Sequence, residues 1–331
     1  MRPIRFSFLR RKPVQQPAPA TQEERYGQAI LAAYQKQQWK EALATFQQLE
    51  DEGFGEASIA LGQYEIDQDL YAAKAHFDNA AAQAIAWGAW CNAQLLAPSI
   101  HADLPGVDQE WFGYCMQAAQ LGCREAMYTL GHHYEEKQDI VAALYWYQLA
   151  FLHEHPSAEP PLKQLLQRWH QAGCPDQTKL QAVVSLSHIE EIMQTLRILA
   201  EPNPITVQQL RAYTEQLTTQ PGDFMTLSIG QLWDQTGQND TQAAACYRQA
   251  AENGSTLGMK RYADRLAYGK GVEQDLPQAE RLYRQAADRG EPTACFYMGN
   301  YTKANRYEAA YWYNKAYRRG HNLSLSYLRQ L

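Results

Sequence analysis

The stretch YGKGVEQDLPQAERLYRQAADRG, Tyr268 to Gly290, holds a Gly-Lys-Gly that invites a phosphate-binding reading. The surrounding residues refuse it. A P-loop needs a hydroxyl residue directly after the lysine, and Gly271 stands there. A dinucleotide fingerprint needs a third glycine where Gln274 sits, with an apolar strand ahead of it. The glycines must therefore serve the chain's own geometry. Gly269 and Gly271 let the chain leave one helix and turn, Val272 seals the turn, Asp275 caps a second helix, and Pro277 fits that helix's first turn. Gly290 then ends the second helix.

From Ala279 onward the stretch obeys A-x-x-L-Y-x-x-A-A-x-x-G, and the same frame recurs along the chain. Ala243-Cys246-Tyr247-Ala250-Ala251-Gly254 and Ala309-Trp312-Tyr313-Ala316-Gly320 repeat it, and Ala143-Trp146-Tyr147-Ala150 does so without the glycine. Looser copies are Trp111-Cys115-Ala118-Ala119-Gly122, Ala73-Phe77-Ala80-Ala81 and Ala42-Phe46-Gly53. Consecutive anchors at 42, 73, 111 and 143, and again at 243, 279 and 309, are separated by one helical hairpin each. A second motif precedes them: Ala126-Leu130-Gly131-Tyr134, with variants Ala294-Met298-Gly299, Met225-Ile229-Gly230-Trp233, Ala57-Leu61-Gly62 and Gly258-Tyr262-Ala263-Leu266. Apolar residues at i, i+4 and i+8 define one helix face, and the small residue beside them admits a neighbouring helix. Each repeat thus reads helix A, turn, helix B, with Tyr147, Trp312 and Tyr313 facing the core.

This pattern resembles the Sel-like repeat (SLR) family, a relative of the tetratricopeptide repeat whose units read LG..Y..G.GV..D...A..WY..AA..G. The resemblance is strong over residues 222–320, good over 124–153, loose over 26–123 and absent over about 156–221. It implies an all-α chain, an α/α superhelical solenoid of SLR or tetratricopeptide-like hairpins, whose concave face is lined by the A helices and binds other proteins. On this reading residues 1–20 form a basic, proline-linked disordered tail, 21–155 looser N-terminal repeats, 156–221 degenerate helical hairpins, and 222–331 C-terminal repeats with a capping helix. In the middle segment the proline clusters HPSAEPP and EPNP interrupt helices. The helical periodicity between and after them, and the 100 residues from anchor 143 to anchor 243, leave room for three repeat steps.

Composition fits closely packed helices: 45% of the 331 residues are hydrophobic, with 21 tyrosines and 8 tryptophans among abundant alanine. Residues 1–20 carry Arg2, Arg5, Arg10, Arg11 and Lys12 and no acid, leaving 25 bases against 36 acids elsewhere. So acidic a body lacks the basic face that nucleic acid requires. The apolar run Ile4 to Leu9 is short and holds Arg5, which argues against a secretory leader or a transmembrane helix. The expected location is the cytoplasm, peripheral at the inner membrane where the five tail bases touch an anionic surface. An Arg-rich, acid-free organelle presequence stays open. PVQQPAPA, Pro13 to Ala20, reads as an extended linker. The six cysteines form no CxxC pair and read as reduced thiols.

Two histidine clusters invite a metal reading: His132, His133, Glu135 and Glu136, and His153, Glu154 and His155. On a helix His132 meets only Glu135 or Glu136, His153 and His155 point apart, and no H-E-x-x-H occurs. No nucleophile sits in a hydrolase or protease frame. Neither a cofactor, a metal nor an enzymatic activity is expected. Binding then falls to the exposed face of the A helices. With Leu130-Gly131 marking the core side, Tyr128, His132 and Glu135 project towards the concave face, as do Leu227 and Gln231, Lys260 and Asp264, and Phe296 and Asn300. The partners expected are proteins or peptides. Two functions stay open: a scaffold or adaptor, including an assembly or accessory factor of a bacterial envelope or secretion machine, and an immunity or inhibitor protein that occludes one toxin or enzyme.

Overall fold

The computed structural model describes residues 21–36, 38–97, 106–175, 178, 186–203, 205–215 and 223–331. The tail 1–20, with the membrane contact expected of its five bases, lies outside the described residues. Among those residues the chain forms 18 helices and no strand. The first eight are α1 (Gln22–Lys36), α2 (Trp39–Asp51), α3 (Gly55–Glu65), α4 (Leu70–Ala82), α5 (Ala86–Leu95), α6 (Val107–Gln120), α7 (Arg124–Glu136) and α8 (Ile140–Leu152). Three more, α9 (Glu159–Gln171), α10 (Leu186–Leu199) and α11 (Val207–Glu215), occupy the segment where the repeat pattern lapses. The rest are α12 (Asp223–Thr236), α13 (Asp240–Glu252), α14 (Thr256–Tyr268), α15 (Leu276–Asp288), α16 (Pro292–Tyr301), α17 (Arg306–Arg318) and α18 (Leu323–Gln330). Hairpins pair α3 with α4, α5 with α6, α7 with α8, α12 with α13, α14 with α15 and α16 with α17.

Five of the B helices begin on one device. Asp69, Asp139, Asn239, Asp275 and Asn305, each four residues before an anchor alanine, accept first-turn backbone N–H groups at 2.9 to 3.3 Å. Five also end on one. The N–H of Cys123, His155, Ser255, Glu291 and His321 donates to the carbonyl five residues back, that of Ala118, Ala150, Ala250, Ala286 and Ala316, at 2.9 to 3.0 Å. The residue just before each donor is left-handed, which glycine adopts freely. Where the repeat lacks that glycine the backbone is unchanged: Ala84 and Glu154 hold φ of 58° and 62°.

Between the two helices of a hairpin, Gly62, Gly131, Gly230 and Gly299 press on the rings of Phe77, Tyr147, Tyr247 and Tyr313, where a Cβ would lie only 2.5 to 2.8 Å away. Those tyrosines, and Tyr283 at the same place in its own repeat, are buried as their spacing predicts. Each hydroxyl donates to its own A helix: Tyr147 to Glu135 (2.9 Å), Tyr247 to Asp234 (2.8 Å), Tyr283 to Asp264 (2.6 Å) and Tyr313 to Asn300 (3.0 Å). In these four hairpins packing and polar satisfaction are thus met by one side chain.

The two ends of the solenoid meet. Helix α1 lies along α17 as closely as two helices of one hairpin, and a Cβ on Gly27 would run into the carbonyl of Tyr307. Tyr26 Oη donates to Asn314 Oδ1 at 3.1 Å across 288 residues of sequence. Asn305 Nδ2 donates to Glu24. Buried Glu56, in the first turn of α3, pairs with Arg319 at 2.6 Å and Lys315 at 3.5 Å. One apolar core therefore joins Tyr26, Phe46 and Leu49 to Tyr311, Trp312 and Leu328. A second core runs through α5 to α10.

Candidate protein-binding face

The A helices α7, α12, α14 and α16 carry the nine residues expected on the concave face. Tyr128 of α7 is half-buried and stacks on His155 with ring centroids 4.4 Å apart. Phe296 of α16 stacks on His321 at 4.5 Å in the same register. Each histidine is the residue that closes the following B helix, five positions past an alanine of the repeat. Neither histidine was expected to belong to this face, although that fixed spacing marks both in the sequence. Burial lowers the pKa of both imidazoles, so at neutral pH they stack as neutral rings.

Glu135, Asp264 and Asn300 are the acceptors of the tyrosine hydroxyls described above, so part of their polarity is already engaged. His132 is exposed and lies 3.5 Å from Glu136, and Gln231 is half-buried. Two residues depart from the expected projection into solvent. Leu227 is only 2% exposed, because α12 turns this side towards α8, where Gln148 Nε2 donates to Ser228 Oγ at 3.2 Å. Lys260 is 5% exposed and lies between Glu154 (2.9 Å), on the turn after α8, and Asp264 (3.2 Å). Burial alone would lower the Lys260 pKa, but Asp264 and Glu154 outweigh it and raise the value. The structure thus joins the α7 and α14 sites through the turn 153–155, an arrangement that periodicity along one helix cannot report.

The ends of the B helices present carbonyls to basic side chains, most of them from other repeats. Arg124 donates to the carbonyls of Glu154 and Gly320, both at 3.1 Å, Arg261 to that of Leu152 at 3.2 Å, and Lys315 to that of Asp288 at 3.3 Å. Arg289 donates to the carbonyl of Gly254. Cations at helix C-termini satisfy orphan acceptors and oppose the negative end of the dipole. Beside them, burial and the charges of Arg261 and Arg124 bring the His153 pKa down to about 4.

Among the described residues no group of three or more His, Cys, Asp or Glu side chains is placed to hold a metal ion. His133 packs beside Trp111 and Phe112, with ring centroids 5.3 and 5.4 Å away. None of the six cysteines forms a disulfide, and burial pushes the thiols of Cys91, Cys115, Cys246 and Cys295 up to about 12, far from a reactive thiolate. No described helix is long and apolar enough to cross a membrane.

Four segments, residues 118–155, 228–255, 256–291 and 294–321, match the family model of the Sel1 repeat. The chain carries Sel1 repeats. Among solved structures it is similar to a protective antigen present in uropathogenic Escherichia coli strains that displays an SLR fold, with 22% identity and a TM-score of 0.35. That similarity covers 86% of this chain and 58% of the antigen, so the chain spans little more than half of that protein's length. It is also similar to a Sel1 repeat protein from Oxalobacter formigenes, with 16% identity over 88% of this chain and 96% of that one, and a TM-score of 0.33. No curated protein matches it. Sel1 repeat proteins are in general non-catalytic scaffolds that bind other proteins.

Proposed function

We propose that this Sel1 repeat chain is a non-enzymatic scaffold that binds a protein or peptide through the A-helix face containing Tyr128, His132, Glu135, Gln231, Asp264, Phe296 and Asn300. The observation that carries the proposal is that two half-buried aromatics in equivalent positions, Tyr128 and Phe296, stand on neutral histidines beside polar groups held in place by tyrosine hydroxyls. Rigid aromatics with an organised polar rim anchor a partner at low entropic cost. An assembly or accessory role in an envelope or secretion machine is the setting we propose for it, on the strength of the acidic body joined to a basic tail.

The test is affinity purification of the full chain with quantitative mass spectrometry, comparing the native sequence with Tyr128→Ala/His132→Glu and with an exposed change off this face, Arg248→Ala. The first variant is expected to lose a reproducible partner that the second retains. Equal recovery from all three sinks the assignment of the face. An envelope or secretion component among the retained proteins would support the setting, and its absence would remove it.

A further inference from the structure

Five of the eight exposed large apolar side chains among the described residues gather where A helices turn into B helices in the first two hairpins. Tyr64, Ile66, Leu70 and Tyr71 are 41%, 37%, 52% and 89% exposed. Trp39 is 41% exposed and stacks on Tyr64 with ring centroids 6.4 Å apart. Exposed Glu41, Asp67 and Asp69 accompany these rings in the sequence, with Lys40 beside Trp39. An apolar patch edged by carboxylates fits an occupant that is both apolar and basic.

Residues 4–12, IRFSFLRRK, have that chemistry, with Ile4, Phe6, Phe8 and Leu9 set among Arg5, Arg10, Arg11 and Lys12. The reach is sufficient. Gln22 and Arg25, where the described chain begins, contact Glu52 at 3.5 and 2.6 Å, just past the C-terminal end of α2. Trp39 opens that 13-residue helix, which places it roughly 20 Å from Glu52. The linker Pro13 to Ala20 spans about 25 Å when extended. Tail and body also carry opposite net charge.

We propose that residues 4–12 dock in cis on the patch formed by Trp39, Tyr64, Ile66, Leu70 and Tyr71. Their apolar side chains cover the exposed rings and their bases face Glu41, Asp67 and Asp69. The surface is distinct from the A-helix face proposed above, so either proposal stands if the other fails.

The test uses the full chain carrying Phe8→benzoylphenylalanine, irradiated as a mixture of isotope-labelled and unlabelled copies, with crosslinks mapped by mass spectrometry. Crosslinks from position 8 into residues 38–72 of the same chain, with a yield that persists on dilution, are expected. The added change Leu70→Ser/Tyr71→Ser, at two exposed positions, should lower that yield about tenfold, in keeping with loss of an aromatic anchor. High salt should lower the yield of the otherwise native chain, because exposed charges are screened; this arm holds whether or not the double variant folds. Crosslinks joining labelled to unlabelled copies would make a second chain the occupant and overturn the proposal. Crosslinks confined to other regions, or a yield indifferent to salt, would overturn it as well.

Discussion

Gly269 and Gly271 stand in one turn, yet a side chain would meet different surroundings at each. Both are left-handed, with φ of 65° and 76°. A Cβ at Gly269 has its nearest neighbours at 3.5 Å or more, whereas one at Gly271 would strike the backbone carbonyl of Asp240. Gly269→Ala should therefore cost only the left-handed penalty, about 1 to 2 kcal/mol. Gly271→Val adds a clash that the neighbouring backbone cannot relieve cheaply, and should cost about 3 kcal/mol or more. Urea unfolding followed by circular dichroism measures both, and equal losses would show that the Asp240 contact is unimportant. The converse change is available where the repeat has no glycine. Exposed Ala84, at φ 58°, should gain about 1 kcal/mol on Ala84→Gly, read as a rise in the urea midpoint.

At the scale of the hairpin, the recurring contact is the tyrosine of helix B against a small residue and a polar acceptor of helix A. Tyr283 donates to a carboxylate and Tyr313 to a neutral amide, so their hydroxyls should differ in worth. Tyr283→Phe is expected to cost about 2 kcal/mol and Tyr313→Phe about 1 kcal/mol. Equal costs by denaturant titration would mean that the acceptor's charge has no part in holding the hairpin. The alanine, glycine and aromatic positions were legible because each recurs at a fixed offset on one helix face. The capping residues were legible too, since an Asp or Asn stands four before each of five anchors, although only Asp275 was read that way. The acceptors followed no single spacing. Glu135 and Asp234 lie four residues after the small residue, while Asp264 and Asn300 lie one after it, a full turn apart on the same side.

Across the whole molecule, the first hairpins close against the last repeat through one apolar core and a buried ion pair. Burial would raise the Glu56 pKa, but the charges of Arg319 and Lys315 and the Arg319 hydrogen bond overcome it and hold the value at about 2. Because the folded value lies below the unfolded one, this contribution is fully present above about pH 4.5 and is lost as pH falls towards 2. Glu56→Gln should cost about 3 to 5 kcal/mol at neutral pH by leaving Arg319 and Lys315 without their partner. It should also flatten the dependence of unfolding free energy on pH between 4.5 and 2; a variant with the native slope would show that other carboxylates set it. The sequence by itself determined the hairpins, their turns and their packing residues, because these depend on offsets of a few residues along one chain. Only the tertiary structure decided that α1 meets α17, that Glu56 is buried, and that Leu227 and Lys260 turn inward while Tyr128 and Phe296 remain at the surface. Those outcomes depend on the small rotation from each repeat to the next, summed around the superhelix, and no local pattern records that sum.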